Sequence, residues 1–254
     1  YLSPKNAPAR LMSFREKIKA LKKYSIDRVL CIRFDDRLRS MSAQKFIDRI
    51  FVDGLGVKFV VFGDDFRFGN DREGDLLFVQ KAGEVNNFRA MPTLTVLQDS
   101  KRISSSRIRE ALHVGDLNLA KNLLGRPYSM EGKVVYGRQL GRTLGAPTAN
   151  IELRRLSCPL SGVYAVKVRG VGINNLMGVA NVGIRPTVND TIKPNLEVHL
   201  LDFNRDIYGC RIEVIFLSKI REEKKFSSLD QLKANIAKDQ RAARDWFDTN
   251  PIRN

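Results

Sequence analysis

The character of the chain changes at Gly125-Arg126-Pro127, and no other feature constrains its fold as tightly. Upstream, helix-like and strand-like patterns alternate. Downstream, short β-rich segments follow one another between Gly, Pro, Asn and Asp. Alternation calls for a parallel sheet with helices on its faces, whereas closely spaced strands separated by turn residues call for a small antiparallel barrel. The expectation is two domains, residues 1–125 and 126–254, of class α/β followed by β.

In the first part, Leu11, Phe14, Ile18 and Leu21 recur at helical spacing behind a Ser13/Glu16 capping box. Val29-Leu30-Cys31-Ile32 reads as a buried strand. Ser42 opens a helix through Phe46, Ile47, Ile50 and Phe51, stopped by Gly54 and Gly56, and residues 57–62 form another apolar strand. Strand, helix, strand in that order predicts a parallel layer. A further strand is expected at 93–97, a helix after Ser104-Ser105-Ser106 carrying Ile108 and Leu112, and a short helix over 117–124 ending at Gly125. In the second part, residues 132–136, 163–168, 177–182, 196–201 and 211–217 have strand character. Ser228 and Gln231 then begin a terminal helix with Leu229, Leu232, Ile236, Ala243 and Trp246 or Phe247 as its apolar stripe.

Composition removes several function classes. Cys31, Cys158 and Cys210 are odd in number and form no CxxC, so a disulfide framework or thiolate zinc site is not expected, and a reducing cytoplasm fits. His113 and His199 are the only histidines, too few for a multi-histidine metal site. The apolar runs are too short for a membrane span, and no basic, then apolar, leader follows Tyr1. Opening on Tyr1 instead of Met predicts that the natural beginning lies upstream. The balance of 44 Lys and Arg over 28 Asp and Glu, a net +16, favours anionic partners without choosing among nucleic acid, acidic lipid and phosphorylated small molecules.

Four segments are candidates for chemistry. Residues 63–69 (GDDFRFG) follow a predicted strand where α/β sheets bind ligands; Asp65 can accept hydrogen bonds and Phe66 or Phe68 can lie on a ring, although a plain surface turn has the same signature. Ser104-Ser105-Ser106-Arg107-Ile108-Arg109, with Arg102 just upstream, offers hydroxyls, free N–H groups and arginines at a helix start, suited to phosphate or to an ordinary serine cap. Gly137, Gly141, Arg142, Gly145, Pro147, Thr148 and Asn150 read as one long glycine-rich loop, whose N–H groups and Arg142 can hold polyphosphate while Thr148 and Asn150 give magnesium neutral oxygens. Glu197 alternates onto the polar face of its strand with His199, where near a magnesium-bound triphosphate it can accept a hydroxyl proton.

Taken in order, residues 63–69, 103–109, the Gly141-Arg142…Gly145-x-Pro147-Thr148-Ala149-Asn150 run, Asn181-Val182-Gly183-Ile184-Arg185-Pro186-Thr187 and Leu196-Glu197-Val198-His199 resemble the bacterial bifunctional riboflavin kinase/FMN adenylyltransferase family. The resemblance implies a Rossmann-like nucleotidylyltransferase domain followed by a riboflavin-kinase barrel with a terminal helix. It implies ATP, riboflavin and FMN as substrates, FAD as product, Mg2+ as cofactor, and neither nucleic acid nor membrane as partner. It assigns metal and phosphate binding to Thr148 and Asn150 and the base for the ribityl 5′-hydroxyl to Glu197. Adenylyltransferase ATP binding falls to Arg102, Ser105, Ser106 and Arg109, and flavin binding to Asp65, with Phe66 and Phe68 beside it.

Three departures accompany it. The family's HxGH motif is expected ahead of Tyr1, so the chain as written is expected to be defective in FAD synthesis. Ser106 stands for a threonine, and Ala146 for an aromatic residue before Pro147. Two other readings stay open at this point: a kinase with a non-catalytic α/β domain, and a basic nucleic-acid-binding protein. The latter lacks an aromatic-rich stacking strand.

Overall fold

The structure, a computed structural model, describes residues 7–63, 65–137, 145–172, 175–186 and 192–251. In chain order its elements are helices α1 (Phe14–Lys23), α2 (Asp36–Arg39) and α3 (Ala43–Phe46), the last continued by a wider turn over Ile47–Gly54. Then come β1 (Phe59–Phe62), α4 (Leu76–Asn86), β2 (Arg89–Pro92), β3 (Leu97–Gln98), β4 (Lys101–Arg102), α5 (Ser105–Val114) and α6 (Leu117–Leu124). The strands β5 (Ser129–Val135), β6 (Thr148–Glu152), β7 (Gly162–Arg169), β8 (Leu176–Pro186), β9 (Ile192–Leu200) and β10 (Arg211–Arg221) precede the terminal helix α7 (Leu229–Thr249). They fall into two compact units, one built on Arg28–Ile103, the other on Pro8–Asp27 together with Ser104 onward.

In the first unit β1 and β2 pair in parallel, Phe59 opposite Arg89 through Phe62 opposite Pro92, with α4 as the connection. Their core is Ala43, Ile47, Phe68, Val79, Ala82, Phe88 and Ala90. The α/β expectation holds, but the strands are not all where the apolar runs pointed. Val29–Ile32 forms no strand; Val29, Leu30 and Ile32 are exposed, and the run pairs with neither β1 nor β2. The partner of β1 lies instead at 89–92. Nor is 93–97 a strand, since only Leu97–Gln98 pairs, in a hairpin with Lys101–Arg102 turned by Asp99 and Ser100, both at positive φ.

The second unit is a closed antiparallel barrel in the order β10-β5-β6-β9-β8-β7. Strand alternation sends Met130, Val134, Val166, Val168, Ala180, Val182, Leu196, Val198, Ile212, Val214 and Phe216 inward, all buried. Each large side chain among them contributes about 1.5–3 kcal/mol. On the outside, Ala243 and Phe247 of α7 dock on Val163, Ala165, Val179 and Leu201, while Leu229 at the helix start is 62% exposed and takes no part. Among the described residues no helix is long and apolar enough to cross a membrane.

Helix α1 belongs to this barrel unit. Ser13 and Glu16 form the expected capping box, yet Glu16 does more than cap. Its Oε1 accepts the Glu131 backbone N–H at 2.7 Å, and its two oxygens take Nη2 of Arg155 at 2.6 and 2.5 Å. Nη1 of Arg155 donates to the Tyr128 hydroxyl at 2.9 Å and to the carbonyls of Arg10 and Leu11. Burial alone pulls the Arg155 guanidinium down, but Tyr128 and Glu16 outweigh it and hold the charge, while burial drives the Tyr128 phenol far up.

Candidate active site

Residues 148–150 are a barrel strand, not the loop that their glycine-rich approach implied. In β6, Ala149 and Ile151 face Val198 and Leu196 in the interior, so Thr148 and Asn150 stand on the outer wall. Register then decides their neighbours. Asn150 lies opposite Glu197, which on its other side lies opposite Asn181 of β8; Thr148 lies opposite His199, and His199 opposite Val179. A carboxylate is thereby flanked by two carboxamides on one outward row. The Glu197 Oε1 accepts from Asn195 Nδ2 at 2.9 Å, and Nδ1 of His199 donates to the Pro147 carbonyl at 2.9 Å, pinning the start of β6.

Two cavities have Thr148 of this row in their walls. One, of about 190 Å³, lies between the wall and α7 with the segment before it, and its lining includes Thr148, Asn181, Glu197, Glu223 and Phe226. The other, of about 350 Å³, is lined by Pro147, Thr148, the inward Val134 and Val198, and residues 203–208. Thr148 is common to both. Tyr208, in the second, stacks on Tyr136 with ring centres 3.9 Å apart. Asn150 is buried.

Glycine sets the approach to Asn150. A Cβ on Gly137 falls 2.1 Å from Asn150 Nδ2, so the carboxamide keeps its place only beside a residue without a side chain. Changing Gly137 to Ala should displace Asn150 and lower turnover at this site about 100-fold, with little change in thermal midpoint. Steady-state kinetics beside a melting curve checks this. Gly183 plays the same part for Glu223, whose Oε1 lies 1.9 Å from where a Cβ would be. Although Glu223 as a residue is exposed, desolvation of its carboxyl pushes its pKa up against the opposing Lys225 and Arg221. Arg221 itself is engaged by both oxygens of Asp239, at 2.8 and 2.7 Å.

Of the anticipated residues, Gly141 and Arg142 lie outside those described; Gly145 has φ +77°, and Ala146, in place of an aromatic residue, is buried in the wall of the smaller cavity. In the α/β unit, Asp65 pairs with Arg102 at 3.2 Å, and that hydrogen bond and charge hold its carboxyl below the usual range. Phe66 stacks between Phe62 and Phe68, at 5.3 and 5.6 Å, while the Phe68 ring is buried in the core against Phe46 and Phe78. Ser104 caps α5 by accepting from Arg107 N–H, leaving Ser105 and Ser106 exposed on its first turn, and Arg109 donates to the Ala9 carbonyl at 2.7 Å. The sequence reading gave no role to Asn181, Glu223, Phe226 or Tyr208. Alternation along β8 could have set Asn181 on the outer face, but its place opposite Glu197 comes from register, and Glu223 arrives by tertiary approach, with no local signature.

A riboflavin kinase family profile matches residues 124–247 and an FAD synthetase profile matches residues 1–107. The bifunctional riboflavin kinase/FMN adenylyltransferase of Escherichia coli K12 is 52% identical over 241 residues, covering 95% of this chain and 77% of that protein. The enzyme of the same name from Pseudomonas fluorescens is 49% identical over 244 residues, covering 96% and 78%. A crystal structure described as a macrolide-efflux protein from Streptococcus pneumoniae superposes with a TM-score of 0.77 at 32% identity, covering 93% of this chain and 76% of that one. With two profiles in the order of the two units and half of its residues shared with relatives of that kind, the chain belongs to the bifunctional riboflavin kinase/FMN adenylyltransferase family.

Proposed function

We propose that the outer barrel row is the kinase site, with riboflavin in the cavity under α7, the ATP phosphates at the cavity beside residues 203–208, and Thr148 at their junction. The observation that carries this reading is that one strand register puts Thr148, Asn150 and Glu197 together on the outer wall, where Thr148 lines both cavities and Glu197 the smaller one. The ribityl 5′-hydroxyl oxygen attacks the γ-phosphorus, its proton passes to a Glu197 carboxylate oxygen, the bond from phosphorus to the β-γ bridging oxygen breaks, and ADP leaves with FMN formed. Thr148 and Asn150 are neutral oxygen donors, a set that suits Mg2+, which when bound would neutralise phosphate charge. Gly141, Arg142, Gly145 and Pro147 are assigned to the nucleotide on their motif alone.

Family membership implies a second activity in the intact parent protein, transfer of AMP from ATP to FMN. We assign it to residues 1–125 and the kinase to 126–254, with Ser105, Ser106, Arg109 and Arg102 toward ATP and Asp65 toward flavin. Between the two phenylalanines, Phe66 is the one with an accessible ring. A cytoplasmic site of action goes with three free cysteines.

The test is to incubate the protein with riboflavin, ATP and magnesium and to separate the flavins by chromatography. FMN should accumulate with magnesium and not with excess chelator. A folded protein that makes no FMN overturns the reading.

A further inference from the structure

A third cavity, of about 380 Å³, shares no lining residue with the two cavities assigned to riboflavin and ATP. Its walls are the outer faces of β7 and β10, the segment before β5, the end of α1 and the end of α7. Four cations line it: Lys23, Arg126, Lys167 and Arg169. Glu213 is the only carboxylate in its wall, and the strand register sets it opposite Arg169. Ile215, Leu217 and Trp246 supply an apolar side.

Lys167 is the telling residue. It is 8% exposed, yet among the described residues its side chain makes no hydrogen bond or ion pair, and the same holds for Lys23 and Arg169. Arg126 reaches only the Pro127 carbonyl and the Met12 sulfur. Most of the Lys167 side chain is withdrawn from water, and desolvation, with Arg169 adding to it, pulls its pKa down. Lys23, in the last turn of α1, gains from the helix dipole; Lys167 and Arg169 stand on a strand and have no such support. An anion would meet all four. The spread of cations round a cavity of this volume exceeds what one monoanion can contact, while the indole offers a flat face to a base.

We propose that this cavity binds a di- or triphosphate group, free or carried by a nucleotide. The proposal rests on the cation cluster alone and stands whether or not the kinase-site assignment does.

Trp246 is the only tryptophan in the chain and lines the cavity, so its emission is a built-in reporter. Inorganic pyrophosphate, which does not absorb near it, is the first probe and ADP the second. Pyrophosphate should shift the emission saturably, and Lys167→Met, which keeps length but removes charge, should weaken that response at least about tenfold. Arg126→Gln, at a half-buried position, should weaken it too and guards against a folding defect in the first variant. Asn150→Ala should leave it intact, which separates this cavity from the kinase site. Tighter binding of ADP than of pyrophosphate in the Lys167-dependent response identifies a nucleotide as the source; equal or weaker binding identifies the free polyphosphate. No saturable shift, or one that ignores both cation variants, overturns the proposal.

Discussion

Glu197→Gln should cut FMN formation by about 10²–10⁴-fold while leaving the apparent KM for riboflavin within a small factor of the parent. The substitution keeps shape and retains an oxygen for the Asn195 Nδ2 donor, so the wall between Asn150 and Asn181 should survive it. What disappears is the acceptor for the proton released as the hydroxyl attacks. The measurement is kcat and KM with riboflavin varied at saturating ATP, beside a thermal midpoint. A change confined to KM would mean that the carboxylate only helps to bind the flavin. A parental kcat would move the base elsewhere, to Glu223 before Asp239, the two other carboxylates lining that cavity, since Asp239 is already held by Arg221.

Arg155→Met should cost about 3–5 kcal/mol of stability, because it leaves the Glu16 carboxylate buried without its counter-charge. Arg155 is 1% exposed at the side chain and Glu16 9%, so water cannot replace the guanidinium. The lost contacts extend to the Tyr128 hydroxyl and to the Arg10 and Leu11 carbonyls, which tie the approach to α1 onto the barrel. Adding Glu16→Leu to Arg155→Met should recover much of the loss, since an apolar pair needs no compensation. Urea unfolding followed through Trp246 gives the cycle. A loss below about 1 kcal/mol for the single variant would place the pair in the class of solvent-screened surface bridges.

The strands of the barrel were legible because their inward and outward residues alternate, as in Leu196-Glu197-Val198-His199-Leu200. Thr148–Asn150 escaped notice as a strand since it is short, polar and preceded by Pro147, and only its pairing with β9 makes it one. Val29–Ile32 misled in the opposite sense: an apolar run states a preference for burial, but a strand also requires an edge to pair with. Glu197, Thr148 and Asn150 could be singled out from motif chemistry. Their arrangement into a row, the second carboxamide of Asn181 and the approach of Glu223 through Gly183 depend on register and tertiary contact, which no window of residues contains.

Because α1 packs with the barrel while residues 28–103 form a unit of their own, the barrel unit is assembled from two stretches of chain with another unit spliced between them. Glu16 precedes Arg155 by 139 residues. At synthesis rates of about 5–20 residues per second, α1 emerges about 7–30 s before the guanidinium that neutralises it. Through that interval an amphipathic helix has no barrel to lie on, while the intervening unit can already begin to fold. The earliest described helix of the chain can therefore gain its buried ion pair only after β5 and β6 have been synthesised.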